Sequence, residues 1–446
     1  MNFRGARVLV VGLGVSGSGA VDALVRAGAR LSLAEDREEV RAIAATRVAF
    51  ERVDTVSGLI DDAWDLIVVS PGISPEQLGR QPEVGRVIGE LELGWLLADA
   101  PVSAITGTNG KTTVATLTAM MLGPDARLCG NAGVSFAAVA GSGASRYVVE
   151  ASSFQLTWAP TFSPASASWT NFTPDHLDWH QDIESYRLAK TKLFTQLREG
   201  SVALLNADDP VVAATPLPDG VGRRTFSLTG PADYRVYGDE LVGPGDKVLM
   251  PVASLGRSGP VDLANALLAW ATAAVAGAEE DRVRTTLAEF TGLEHRQERV
   301  AVVDEVLYVN DSKATTPVAA AAGVNSFAHV VLIAGGQGKG LSFEPYLAVA
   351  DHVRAVIGIG ECAGMVVELF REIGTPTQIA KSMTEAVDLA SRRALPGDVV
   401  LLAPGATSFD WYRNYQERGE DFKAIVHRLA QSRSRDGGSS SVGHVR

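Results

Sequence analysis

The sequence predicts an α/β protein of three domains, each built on a largely parallel sheet. Three observations carry this. Short apolar runs ending in glycine or polar turns alternate with helix-length stretches along most of the 446 residues, the mark of parallel α/β architecture. The length itself suits about three domains. Two glycine-rich turns, VGLGVSG and TGTNGKTT, each stand between an apolar run and an amphipathic stretch.

The first segment opens with strand ARVLVV, the glycine turn and helix SGSGAVDALVRAGA. Strand ARLSLAE and strand DLIVVS follow, the latter just before Pro71-Gly72. Pro101 marks the approach to the second segment, which begins with strand VSAIT, the second glycine turn and helix TTVATLTAMML. Strands YVVEAS, ASWTNF and SVALLNADD come next, and helix VDLANALLAWATAAVAG closes it near Gly292. The third segment holds VLYVNDS, HVVLIAGG, AVIGIGE and DVVLLAPG. Ligands of such sheets collect at the carboxyl ends of the strands, where the polar clusters lie. The expected limits are 1–98, 99–292 and 293–431, with 432–446 a disordered tail, because SRSRDGGSSSVGHVR has almost nothing to bury.

Composition excludes several classes. Hydrophobic residues make up 46% and charged residues 21%, ordinary for a soluble globular chain. Lys+Arg 40 against Asp+Glu 52 leaves a net charge of −12, which argues against general nucleic-acid binding. Anionic substrates must then be met by local cations or metal ions. Cys129 and Cys362 are far apart and form no C-x-x-C, so neither a zinc site nor a disulfide framework is expected and a reducing, cytoplasmic setting fits. No leader peptide and no membrane span are expected from MNFRGARVLVVGLG or from any later run.

The loop ITGTNGKTT resembles a phosphate-binding loop with one glycine displaced. The usual spacing G-x-x-x-x-G-K-[ST] places a glycine where Ile105 stands, and the glycine comes two residues later, at Gly107. Every needed group is nevertheless present in order. Gly107 and Gly110 supply the permissive backbone, Thr108 and Asn109 fill the loop, Lys111 supplies a point charge, and Thr112-Thr113 open the helix with a hydroxyl for Mg²⁺.

The first turn, Gly12, Gly14 and Gly17, spells G-x-G-x-x-G, with Glu35-Asp36 at the end of the following strand. Taken alone it reads as a dinucleotide fingerprint and raises a rival, an NAD-dependent oxidoreductase. The turn's chemistry, however, is pyrophosphate binding, which a UDP-sugar also satisfies. A nucleotide-binding module without catalysis is the third class.

TGTNGKTT is similar to the ATP loop of the Mur ligase family, ATP-dependent amide ligases of peptidoglycan precursor synthesis, in which this shorter spacing occurs. The resemblance runs over about residues 1–425. It implies an N-terminal Rossmann-like UDP-binding domain, a central P-loop ATPase-like domain and a C-terminal Rossmann-like domain. It also implies ATP and Mg²⁺ as cofactors, a monomer, and no membrane or nucleic-acid partner. In VVEASSFQL, Glu150 would help hold Mg²⁺, apt for a strand-end carboxylate beside phosphates. In NFTPDHLDWH, His176 and His180 suggest zinc by spacing, but a further ligand is missing. The resemblance gives His176 to a second Mg²⁺, Asp175 to the active site, and leaves His180 solvated or structural. In SYRLAKTKLF, Lys190 would be carbamylated and join the metal set with Thr112, which requires desolvation to lower its pKa.

Further matches follow in chain order. Arg296 in TGLEHRQERV would reach nucleotide phosphates. In VNDSKATTP, Asp311 would contact the ATP ribose, Lys313 the phosphates, and Thr315 the incoming amino acid. Lys339 in IAGGQGKG and Ser408 and Tyr415 in APGATSFDWYRNYQERG would bind D-glutamate. Gly14, Val15, Ser16, Glu35, Asp36, Arg37, Ser70, Pro71, Gly72 and Asn131 would hold the UDP-substrate. One departure stands out: Val261-Asp262 replace the family's His-Asn pair, with Asn265 retained, which bears on the adenine contacts. The combination implies a ligase adding D-glutamate to UDP-N-acetylmuramoyl-L-alanine through an acyl phosphate, with a different amino-acid specificity as the alternative. It also implies that the third domain closes over ATP.

Overall fold

The computed structural model describes residues 3–47, 50–81, 86–176, 179–338, 341–436. They form two compact units, Met1–Phe290 and Thr291–Arg446. The first unit contains two sheets. In one, β1 (Arg7–Val11), β2 (Arg30–Ala34), β3 (Arg52–Asp54), β4 (Leu66–Val69) and β5 (Val87–Gly89) run parallel in the order β3-β2-β1-β4-β5. The strand order reverses between β1 and β4, which opens a crevice beyond their carboxyl ends.

The other sheet comprises β6 (Val102–Thr106), β7 (Ala126–Gly130), β8 (Arg146–Glu150), β9 (Ser166–Trp169), β10 (Val202–Asn206), β11 (Gly222–Ser227), β12 (Tyr234–Tyr237), β13 (Glu240–Gly243) and β14 (Lys247–Pro251). Their order is β14-β13-β12-β11-β10-β9-β6-β8-β7, antiparallel only at β12–β13 and β13–β14. The strands β11–β14 are absent from the expectation above. They are short and broken by turn residues, and the signal that marks them is Gly238-Asp239, a two-residue hairpin turn between Tyr237 and Glu240. β6 sits between β8 and β9, so whatever follows it emerges in mid-sheet.

The second unit holds β15 (Glu298–Val303), β16 (Val306–Asn310), β17 (Val330–Gly335), β18 (Val353–Ile359), β19 (Thr377–Ile379) and β20 (Val399–Leu402), in the order β15-β16-β20-β17-β18-β19. Only β15–β16 is antiparallel. Each sheet buries apolar side chains on both faces, which is why runs such as VLVV, LIVV and VLIAG show no alternation. The final helix, Tyr415–Asp436, extends into the stretch expected to be a tail. Residues 432–436 contain no breaker before Gly437, so the helix continues through Ser432, whose hydroxyl bonds the Leu429 carbonyl at 2.8 Å. The rest of that stretch lies outside the described residues.

Within the first unit, helix Glu90–Leu97 clasps the larger sheet's domain through two buried carboxylates. Glu90 Oε1 accepts from Ser135 Oγ (2.7 Å) and the Ala137 amide (2.6 Å), while its Oε2 has no hydrogen-bond partner among the described residues. Glu92 accepts from the Thr161 amide at 3.0 Å and from its hydroxyl. Burial pushes both acids up from the ordinary carboxylate range. Arg26 reaches the Ala137 and Ala138 carbonyls at 3.2 and 2.8 Å, and Trp158 Nε1 donates to the Ile73 carbonyl at 2.9 Å.

Candidate active site and sugar-nucleotide pocket

The phosphate loop is short because its missing glycine position belongs to the strand. Ile105 is fully buried in β6, paired to Glu150 on one side and Ser168 on the other. The loop itself therefore runs from Gly107 to Gly110, and both glycines are required. Gly107 has φ +146°, and a Cβ there would lie 1.8 Å from Thr170 Oγ1. Gly110, at φ +82°, would place a Cβ 2.3 Å from Asn265 Oδ1. Gly110 is also the N-cap of helix Lys111–Leu122 and contributes no side-chain cap, so the positive end of the helix faces the loop's concavity.

A second layer braces the cradle from below. The Thr108 amide donates to the Asn171 carbonyl at 3.0 Å and the Asn109 amide to Asn171 Oδ1 at 2.9 Å. Thr170 Oγ1 donates to the Asn109 carbonyl at 2.6 Å. Thr108 Oγ1 lies 3.1 Å from the Tyr186 hydroxyl, whose pKa burial raises to about 12. Lys111 Nζ reaches back to the Thr108 carbonyl at 2.7 Å, inside the loop.

Glu150 ends β8 beside this loop. It is 1% exposed; Oε1 accepts from Asn131 Nδ2 at 2.7 Å, and Oε2 has no hydrogen-bond partner among the described residues. A buried, half-satisfied carboxylate is costly unless something cationic completes it. Lys190, 1% exposed, donates to the Gly107 carbonyl at 2.7 Å and lies 4.6 Å over the Tyr186 ring. Burial, then the nearby charge of Lys111, drives its pKa well below the ordinary lysine value, against the pull of Asp175 and Glu150. The fold thus gathers Lys111, Glu150, Asp175 and Lys190 at the loop. His176 is half-exposed with φ +56°, its Nε2 3.4 Å from Asp175 Oδ2 and its ring 4.8 Å from Phe154. His180 is buried and its Nε2 lies 2.9 Å from Ser153 Oγ, so it is structural rather than solvated.

The residues expected at the UDP-substrate, Asn131 excepted, come together in one crevice of about 440 Å³. Gly14, Val15 and Ser16 enter from the turn after β1, Glu35, Asp36 and Arg37 from the end of β2, and Ser70, Pro71 and Gly72 from the end of β4. Asn131 is not among them. It follows β7, and because Gly130 pairs with Glu150 across the sheet, its amide meets that carboxylate instead. At the other flank of the phosphate helix, Val261 is 69% exposed and Asp262 is ion-paired to Arg257 at 2.9 Å.

The second unit carries its own polar cluster. Asp311 follows β16 and is buried; it accepts from the Gln297 amide at 3.2 Å. His295 and Gln297, both with positive φ, flank Arg296, and the His295 carbonyl accepts from the Lys313 amide at 3.1 Å. Lys313 Nζ lies 5.5 Å over the Tyr415 ring. The Thr315 amide donates to the Lys313 carbonyl at 2.9 Å, and the Gly405 amide to that of Ala314 at 2.9 Å, so this motif adjoins the loop that leads to buried Ser408. Gln337 exchanges backbone hydrogen bonds with Thr407, next to that serine. Lys339 lies outside the described residues.

Sequence reasoning missed Arg418. It is 1% exposed and bonds Ser312 through both Oγ (2.9 Å) and the carbonyl (2.8 Å), and the Ala406 and Thr407 carbonyls at 3.1 and 3.2 Å. Burial lowers its pKa to about 10. It joins the two loops that hold Lys313 and Ser408. Only its place three residues after Tyr415, one helical turn away, hinted at this.

Burial raises the Asp311 pKa from 3.8 to about 6. A carboxyl with a raised folded pKa destabilises the fold as it ionises, so its contribution is intact below about pH 4 and lost as pH rises through 6. The shift corresponds to about 3 kcal/mol at most. Asp311→Asn should therefore show a flatter stability profile between pH 4 and 7 than the parent, as read by chemical denaturation; parallel profiles would refute the burial account.

A glycine cradle on a mid-sheet strand, a crevice at the switch point of a doubly wound sheet and a second unit built on its own α/β sheet fit an ATP-dependent ligase of the phosphate-loop class. The chain belongs to the Mur ligase family, in its UDP-N-acetylmuramoylalanine–D-glutamate ligase branch. Residues 6–99 match the "Mur ligase MurD-like, N-terminal domain", 105–273 the "Mur ligase middle domain" and 295–405 the "Mur ligase, glutamate ligase domain". UDP-N-acetylmuramoylalanine–D-glutamate ligases of Pelotomaculum thermopropionicum and Methylococcus capsulatus are 36% and 38% identical. Each alignment covers 95% of this chain, with 98% and 95% of those proteins. Among solved structures, the fold is similar to MurC of Thermotoga maritima (TM-score 0.58, 17% identity, 96% of this chain and 100% of that one). It is also similar to MurF of Thermotoga maritima in complex with ADP (TM-score 0.57, 15% identity, 96% of each). No helix among the described residues is long and apolar enough to cross a membrane.

Proposed function

We propose that the chain joins D-glutamate to UDP-N-acetylmuramoyl-L-alanine, with ATP activating the alanyl carboxylate. A carboxylate cannot condense with an amine at neutral pH unaided. The γ-phosphoryl of ATP passes to it, giving an acyl phosphate; the D-glutamate amine attacks, and phosphate leaves from the tetrahedral intermediate. Positioning and charge neutralisation dominate such chemistry.

The cradle Gly107–Thr113 would bind the ATP phosphates, and Lys111 would neutralise charge that grows on them. Asn265, which touches the cradle at Gly110, would support the nucleoside end. Arg296, Asp311 and Lys313 would engage ATP from the second unit, and Thr315, Ser408, Tyr415 and Lys339 would hold D-glutamate. Thr112, Glu150, His176 and a carbamate on Lys190 would hold Mg²⁺. The unpartnered buried Glu150 oxygen fits a hard cation, and so does a lysine whose burial leaves the amine neutral enough to take up CO₂. When bound, Mg²⁺ would screen the phosphate oxygens.

The observation that carries the reading is the grouping of Lys111 with buried Glu150 and Lys190 around a glycine cradle. The test is phosphate release from ATP with UDP-N-acetylmuramoyl-L-alanine and a panel of amino acids. Release with D-glutamate alone is expected; release with L-lysine instead would overturn the specificity.

A further inference from the structure

Two residues of the turn that carries Arg296 sit in the left-handed region, His295 at φ +61° and Gln297 at φ +44°. Neither is glycine, and side chains held there persist only where the surroundings over-determine the backbone. The His295 amide donates to Glu298 Oε2 at 2.9 Å, and the Gln297 amide to Asp311 Oδ1 at 3.2 Å. Glu298 Oε2 also accepts from Asn310 Nδ2 at 2.9 Å. The Ser312 amide donates to Asn310 Oδ1 at 3.1 Å, which sets the orientation of that side-chain amide. Its nitrogen also donates to His295 Nδ1 at 2.9 Å. Burial holds the His295 ring below the ordinary imidazole range. With Nδ1 accepting, the ring proton sits on Nε2, 3.6 Å from Glu420 Oε1.

The final helix backs this turn at two points on one face. Gly419 admits the close approach: a Cβ there would stand 2.2 Å from His295 Nδ1 and 3.0 Å from Asn310 Nδ2. One turn further on, half-buried Lys423 sets its ammonium 2.9 Å from Glu298 Oε1, 3.0 Å from Glu420 Oε1 and 3.6 Å from Glu294 Oε1. Three carboxylates thus face one cation, and without it Glu298 would stand among like charges. We infer that Lys423 is a positioning residue for Arg296: it holds Glu298 against the His295 amide, keeps the left-handed turn in place and so directs the guanidinium that the turn carries. This rests on the proposed engagement of ATP by Arg296. Tyr415 and Arg418 lie on earlier turns of the same helix, beside the residues proposed for D-glutamate, so a disturbance of the whole helix would reach that substrate as well.

The experiment compares Lys423→Met, which keeps the stem and removes the charge, with Lys423→Arg, and places Lys423→Met in an Arg296→Ala background, all in the full chain. Binding of adenylyl imidodiphosphate by calorimetry accompanies steady-state kinetics. Lys423→Met should raise Kd for the analogue and KM for ATP about fivefold. The KM values for the sugar nucleotide and D-glutamate should not change. Lys423→Arg should stay within about twofold of the parent, because it keeps the cation among the three carboxylates. In the Arg296→Ala background Lys423→Met should add nothing, because it acts through Arg296. An unchanged Kd and ATP KM in Lys423→Met, or a further loss on top of Arg296→Ala, would overturn the inference. A joint rise of all three KM values with a lowered Tm would do so too, showing a merely structural role. Arg296→Ala with parent-like ATP binding would sink the assignment of Arg296 and the inference with it. A parent enzyme that binds the analogue yet forms no product with D-glutamate would sink the proposed function and leave the binding cycle to judge Lys423 by itself.

Discussion

Lys111→Ala should lower phosphate release and ligation by about 10³-fold or more, with melting temperature nearly unchanged. The side chain reaches the Thr108 carbonyl within its own loop and is only partly buried, so its removal opens no cavity in the apolar core. What it removes is a positive charge aimed into a cradle otherwise built from backbone, and charge stabilisation of a transferring phosphoryl is worth several powers of ten. Lys111→Arg should not restore activity, because a planar fork does not reproduce a compact ammonium on a loop this short. Turnover of Lys111→Ala within a few-fold of the parent would remove the residue from the mechanism.

Lys190→Ala should cost about 10²- to 10³-fold in kcat, and small carboxylates such as acetate should restore part of it. A lysine amine 1% exposed and beside another lysine is driven towards neutrality, and a neutral amine takes up CO₂ while an ammonium does not. Carbamylation turns the neutral amine into an anion and releases one proton to solvent, which would place a negative charge opposite Lys111. Deleting the side chain leaves a cavity where a small acid can sit. Depleting CO₂ should slow the parent and leave the variant unaffected. A variant indifferent to acetate, with a parent indifferent to CO₂, would show that Lys190 serves as a plain amine hydrogen-bonded to Gly107.

The parts of this molecule that sequence made readable are those where local chemistry dictates position. The family resemblance named Gly14, Glu35 and Ser70 together, and converging strand ends of a doubly wound sheet bring them to one crevice. The cradle could be named because its glycines, lysine and threonine are contiguous. Their reasons were less accessible: that Gly107 must clear Thr170 and Gly110 must clear Asn265 depends on strands and helices far along the chain. Arg418, Asn171 and Tyr186 were invisible for the same reason, since each acts on a loop remote in sequence. Asn131 illustrates the converse. Its polar side chain was foreseen as functional, but the pairing of β7 with β8 directs it to Glu150. The edge strands β12–β14 escaped because short, turn-rich segments give little periodic signal.

The clasp made by Glu90 and Glu92 has a consequence for substrate choice. Because it sits inside one compact unit, the distance from the crevice at β1 to the cradle at β6 is set by the protein rather than by whatever occupies them. Such a pair of anchorages works as a ruler: a molecule gripped at one end offers its far end to the cradle only if its length matches, whatever the identity of the groups in between.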